Sequence, residues 1–275
     1  MAVATRGRRL LWWVGGIVVL IVIAAIAAPF VYIHFIEGPP PAKLTLPETT
    51  STTSAGSRSA STGSTTLSGT WNVGTGSVAG YRVNEDLVGQ HTTAVGRTSD
   101  VWGSLVVSGA QVTSAKFTVA MATVTSDQSQ RNAQFDGRIM HVSQYPTATF
   151  TLTAPIDVSS LPTSAVTKQY RASGTLELHG VSRSVTFPLQ AEVQGSNVAV
   201  LADITVPFAK WNIANPSIGG FVTTANQGTL EVLLLLTKGP GNPATQTTGP
   251  VGNSGGGGPV TVPSTTVPSL TVPGG

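Results

Sequence analysis

The sequence predicts an all-β fold, an antiparallel barrel or sandwich of roughly eight strands with one short helical segment, set behind a single apolar N-terminal helix. Three observations predict it. Apolar and polar residues alternate with period two through the central part of the chain. Turn signals such as Ser108-Gly109, His179-Gly180 and Gly195-Ser196-Asn197 separate the runs. One uncharged apolar stretch, near the N-terminus, is long enough for a membrane span.

That stretch comes first in chain order. After Arg6, Arg8 and Arg9 the run from Leu10 to Ile33 carries no charge, and apolar residues continue to Ile36. As a helix over residues 10–36 it would cross the roughly 30 Å hydrocarbon core. Ala25-Ile26-Ala27 offers a competing reading as a signal-peptide cleavage site. The run exceeds the roughly 7 to 15 apolar residues of a signal core, and Pro29 lies close to the scissile position, so an uncleaved anchor is expected. The arginines before it place residues 1–9 in the cytoplasm by the positive-inside rule. A single-pass protein of the cell membrane, with everything beyond Glu37 extracytoplasmic, is the expectation.

Residues 37–68 are rich in Pro, Ser and Thr with few large apolar side chains, and read as a solvated linker. Residues 239–275 are rich in Gly, Pro and Thr and end in a loose Thr-Val-Pro repeat, the composition of a disordered tail. Between them, residues 69–238 form the expected β-domain. Trp71 to Val73 and Val101 to Val107 supply early strands. Phe117, Val119 and Met121 then alternate with Lys116, Thr118 and Ala120, and Ala148, Phe150 and Leu152 alternate with threonines. Leu176 and Leu178, then Val185, Phe187 and Leu189, then Val198, Val200, Ala202 and Ile204, and finally Leu230, Val232, Leu234 and Leu236 continue the inward face. From Thr125 to about Met140 the alternation fails. Thr125 with Gln128 three residues on resembles a capping box opening a short helix across one end of the sheet. Gly74, Gly76 and Gly80 lack the spacing of a dinucleotide loop, and Gly74-Thr75-Gly76 reads as a hairpin turn.

Charge and composition exclude several functions. The formal net charge is +3, but residues 69–238 hold ten basic and ten acidic residues with no basic run. That removes the electrostatic footprint a nucleic-acid binder needs. With no Cys there is neither a disulfide framework nor thiolate chemistry. His91, His141 and His179 are too widely spaced for a zinc motif, and His179 suits a turn. No G-x-S-x-G elbow occurs. Glu85 with Asp86, and Asp127 with Asp136, do not share a face as an acid/base couple would. The polar cluster Arg131, Asp136, Arg138, His141 and Tyr145 therefore lacks catalytic partners, and a non-enzyme needing no cofactor is expected. The pattern leaves two states of the interior open. Either Trp71, Phe117, Phe150 and Phe187 pack it solid, or an eight-stranded barrel holds one small guest.

The order of motifs resembles the YceI-like family. It is carried by Trp71-Asn72-Val73, by Tyr145-Pro146-x-Ala148-Thr149-Phe150, and by Gly174-x-Leu176-x-Leu178-His179-Gly180-Val181. The likeness extends from Thr70 to Lys238. It implies an extended, lipocalin-like antiparallel barrel, exported in bacteria, whose apolar pore holds a polyprenyl compound or isoprenoid quinone. Many relatives carry Arg-Asp with a nearby His where this chain has Arg131-Asn132 and Gln134. On that resemblance the pore would be lined by Phe117, Val119, Met121, Phe150, Leu152 and Leu176. Leu178, Phe187, Leu189, Ile204 and Leu234 would complete it, and Arg131 or Arg138 could meet a polar or phosphorylated head. The alternative is a ligand-free structural or adhesion module of the cell envelope.

Overall fold

The computed structural model describes residues 13–24, 39–47, 67–87, 89–162, 166–220 and 222–239. Where alternation is predicted, strands form. β1 (Gly69–Val73), β2 (Val78–Leu87), β3 (Gln90–Thr98), β4 (Val101–Ser108) and β5 (Gln111–Ala120) precede the irregular segment, which begins with the two-residue β6 (Thr125–Ser126). After it come β7 (Thr147–Leu152), β8 (Ile156–Asp157), β9 (Lys168–Leu178), β10 (Val181–Gln194), β11 (Asn197–Pro207), β12 (Val222–Thr224) and β13 (Gln227–Lys238).

Among the described residues, eight strands close into an antiparallel barrel in the order β1-β4-β5-β7-β9-β10-β11-β13, with β13 returning to β1. Closure leaves no free edge along that circuit. Two strands share the second edge of β13. Its end, Leu236 to Lys238, pairs with β1, while Thr229 to Leu233 pairs with β2, from which β3 and β6 extend the sheet. Gly74-Thr75-Gly76 is thus not a hairpin turn: the chain bulges and continues forward along the same partner. Ser77 stitches the gap, accepting from the Leu235 amide at 2.9 Å and donating to the Gly74 carbonyl at 2.8 Å.

The His179-Gly180 turn joins β9 to β10 with both residues at positive φ, 52° and 70°. Two successive positive-φ residues match the twist of a two-residue hairpin. His179 is also tied down: its Nδ1 lies 3.1 Å from the Trp211 carbonyl and its Nε2 3.3 Å from His141 Nδ1, with the Tyr145 ring edge-on to it.

The segment after β6 differs from the expected capping box. Thr125 and Ser126 pair with Arg97 and Gly96 of β3, so the helix opens later, as Ser129–Gln134, with no side-chain cap on Gln128. The edge of β3 captures the residues that would have capped it. Asn132 Oδ1 instead accepts from both the amide and the hydroxyl of Ser126 at 2.7 Å. The chain then widens into a π-turn over Phe135–Ile139, burying Phe135 and Met140.

The membrane expectation is corrected. The described N-terminal helix covers residues 13–24, about 18 Å at 1.5 Å per residue, which falls short of a bilayer core. Among the described residues no helix is long and apolar enough to cross a membrane. The single-pass anchor over residues 10–36, the cytoplasmic N-terminus and the extracytoplasmic placement drawn from it are not supported. The remainder of that apolar run lies outside the described residues.

A short strap crosses the outside of the barrel. Residues 39–47 run from β2 and β3 to β10: the carbonyls of Pro41, Ala42 and Pro47 accept from Arg82, Arg97 and Gln194. Leu44 and Leu46 are half-buried in it, and the outward-facing Ala199 and Leu233 of β11 and β13 are buried. Beside the strap, Glu231 is 1% exposed and bridges Arg82 at 2.7 Å and Arg97 at 2.9 Å. Burial pushes the Glu231 carboxyl up, but hydrogen bonds and charge from the two arginines outweigh it and hold the group below the usual carboxylate value.

Candidate functional site

The inward faces of the strands do not meet. They enclose a cavity of about 280 Å³ that runs between two packed ends. At one end Trp71, Leu161, Val193 and Leu236 form a cluster, and the Trp71 indole donates to the Leu67 carbonyl at 2.7 Å. At the other, Phe135, Met140, Phe208 and Trp211 close the barrel beneath the short helix. Ala172, Phe187, Ala202 and Ile204 form the waist between them. Small residues at the waist keep the lumen open, because alanine leaves space where a larger apolar side chain would fill it.

Every inward residue expected to line a pore does face this cavity. Phe117, Val119 and Met121 approach from β5 and the turn after it, Phe150 and Leu152 from β7, and Leu176 and Leu178 from β9. Phe187 and Leu189 come from β10, Ile204 from β11 and Leu234 from β13. Alternation located these because each strand has one face toward the lumen. The lining also includes residues that the reading did not single out as pore residues, among them Tyr81, Phe135, Ile139, Met140 and Tyr170. Tyr81 and Tyr170 lie in the same period-two register as their neighbours, Ala79 and Val83, and Ala172 and Leu176. Phe135 and Ile139 stand four apart in an otherwise polar stretch, the spacing of one helix face.

The two candidate headgroup arginines divide. Arg131 lines the helix end of the cavity, where its Nη1 donates to Asp127 four residues earlier. Arg138 is exposed, outside the lining, and donates to Gln134 Oε1 at 2.8 Å and the Pro216 carbonyl at 3.1 Å. Glu85 belongs to the lining as well. Tyr81 stacks on Phe135 with ring centroids 5.1 Å apart. Its hydroxyl is pushed up to about 12, by burial first, with Arg131 opposing and Glu85, Asp127 and Asp136 adding to the rise. This end of the barrel is therefore polar at its rim and already internally paired. The rest of the polar stretch is structural: His141 supports His179, and Tyr145 packs against it.

One glycine shapes the lumen directly. Gly174 of β9 lies under the Phe150 ring, and a Cβ there would meet ring carbons and the Thr151 carbonyl oxygen at 2.4 Å. Gly174→Ala is expected to lift the Phe150 ring into the cavity and to cost about 1–3 kcal/mol, read by denaturant unfolding. An unchanged midpoint would show that the ring has another place to go.

Residues 50–234 match a family model described as YceI-like domain. Solved structures similar to the chain include the following three. A polyisoprenoid binding domain from Saccharophagus degradans, implicated in plant cell wall breakdown, is 15% identical, with 62% of this chain and 98% of that one covered and a TM-score of 0.49. BcnA from Burkholderia cenocepacia is 18% identical, covering 57% and 96%, with a TM-score of 0.44. A Campylobacter jejuni YceI protein is 14% identical, covering 51% and 83%, with a TM-score of 0.39. No curated protein matches the chain.

Proposed function

Because the chain belongs to the YceI-like family, and because its closed barrel surrounds an apolar lumen, we propose that it binds an amphiphilic isoprenoid lipid, a polyprenyl compound or isoprenoid quinone, and sequesters or carries it. The observation that carries the reading is the cavity. A space of about 280 Å³, lined almost wholly by carbon, is larger than the roughly 150 Å³ apolar cavities that stay dry and take small hydrocarbons. Each buried CH₂ of a guest contributes about 0.8 kcal/mol before the costs of association, so a long chain is held without covalent chemistry.

The proposed role is binding, not catalysis. At the helix end Asp127 pairs with Arg131 and His141 with His179, which leaves these groups engaged in holding the fold. The same pairing bears on the guest's head. A phosphate at Arg131 would compete with Asp127 and face Glu85, and Arg138 is turned to Gln134 and Pro216, so this rim does not suit an anionic head.

Organic extraction of the purified full chain followed by mass spectrometry tests the reading. A polyprenyl or quinone species should be recovered in near-stoichiometric amount, and adding prenyl lipid to stripped protein should raise its melting temperature. Recovery of no lipid together with an unmoved melting temperature would leave a barrel with a structural role.

A further inference from the structure

Among the described residues, five buried side-chain atoms lack a hydrogen-bond partner, and of these only the Tyr170 hydroxyl belongs to a residue lining the cavity. Tyr170 stands near the start of β9 and packs against the cluster around Trp71, at the opposite end from Arg131. At that end the other hydrogen-bonding ring, the Trp71 indole, is satisfied by the Leu67 carbonyl. No Lys, Arg, Asp or Glu of that end enters the lining. A buried hydroxyl is seldom left without a partner.

We propose that the Tyr170 hydroxyl is the anchor for the guest's polar end. This rests on the lipid-binding reading above and sharpens it. The guest is a neutral lipid with a carbonyl, ether or hydroxyl oxygen, and it lies with that oxygen beside Tyr170 and its hydrocarbon running toward the helix end. Neutrality follows from the surroundings: an anionic head would be desolvated at the Trp71 end with no cation in the lining to meet it. From Tyr170 to Leu178, which packs in the helix-end cluster, β9 advances about 26 Å at 3.3 Å per residue, a length that favours an extended chain over a compact ring system.

Tyr170→Phe removes the oxygen and keeps the ring. With stripped full-length protein, two probes separate the contributions: geranylgeraniol, and the C20 hydrocarbon that differs from it only by lacking the hydroxyl. The variant should bind the alcohol about tenfold more weakly than the unmodified protein does, and the hydrocarbon equally well. Its lipid-free melting temperature should be no lower, because a hydroxyl without a partner contributes nothing to the empty fold. Unchanged alcohol affinity, an equal loss for both probes, or a lower melting temperature of the lipid-free variant would each overturn the anchor while leaving the carrier reading in place. Failure of the unmodified protein to bind either probe would overturn the carrier reading, and the anchor with it.

Discussion

Leu152→Arg is expected to abolish lipid loading. Leu152 lies at the end of β7, faces the lumen and packs against both the Trp71 cluster and the waist. A guanidinium placed there meets a lining almost free of polar atoms, where an unpaired charge costs several kcal/mol. It can lower that cost only by stretching toward one end of the barrel, and its stem then occupies the space a hydrocarbon would take. Either outcome excludes the guest. Extraction and mass spectrometry of the variant read the result directly. Since a buried charge also threatens the fold, Ala202→Phe serves as an uncharged companion: it fills the waist from β11 at a packing cost of about 1–3 kcal/mol and should empty the barrel as well. Normal loading of a folded Leu152→Arg protein would mean that the guest lies elsewhere.

Glu231→Ala is expected to have the largest effect on stability, about 3 kcal/mol or more, measured by denaturant unfolding of lipid-free protein. The substitution leaves Arg82 and Arg97 facing each other at a site where they are only 13% and 26% exposed, with their shared carboxylate gone. Removing one partner of a buried ion pair typically costs about 3–5 kcal/mol. Partial exposure of the arginines places the expectation at the lower end. The linkage with pH has a definite sign. The Glu231 carboxyl is held below its ordinary value in the folded state, so its contribution is complete above the unfolded value of roughly 4.3 and is lost as pH falls through the folded one. Glu231→Ala should therefore flatten the acid limb of the stability curve. A variant that unfolds at the same denaturant concentration as the parent would show the triad to be dispensable.

The two predictions concern opposite faces of the barrel wall, the lumen at Leu152 and the outside at Glu231, and they differ in how well the sequence announced them. The lumen face was legible because alternation is local: Phe117 and Val119, or Leu176 and Leu178, reveal their side of the sheet within a few residues. The motifs from Tyr145 to Phe150 and from Gly174 to Val181 pointed to the YceI-like fold for the same reason. The outer face was not legible. Arg82 and Arg97 lie 149 and 134 residues before Glu231, and nothing local to any of them marks the triad. One signal was available: Leu233 to Leu236 breaks alternation with four consecutive leucines, the mark of a strand buried on both faces. The cover over that second face is the strap, whose contacts run through backbone carbonyls of Pro41, Ala42 and Pro47, so its composition reads only as linker. The helix start at Ser129 failed for a related reason, since β3 pairs with Thr125 and Ser126 across a distance that local capping rules do not see. Tyr170 was hidden differently. It keeps the inward register of β9, but only the closed barrel shows that its hydroxyl is left without a partner.

The strap also sets where this protein can be cut. A fragment begun at Gly69, at the first barrel strand, keeps every pairing of the closed circuit, yet it loses residues 39–47 and, with Leu67, both a lumen residue and the carbonyl that the Trp71 indole meets. Water would then reach Leu233 and Ala199, and the guanidiniums of Arg82 and Arg97 would lose the carbonyls of Pro41 and Ala42. Such a fragment would expose an apolar stripe on its convex side and would tend to self-associate in solution. An expressible form of the barrel therefore begins upstream of Pro39, with the strap counted as part of the folded unit.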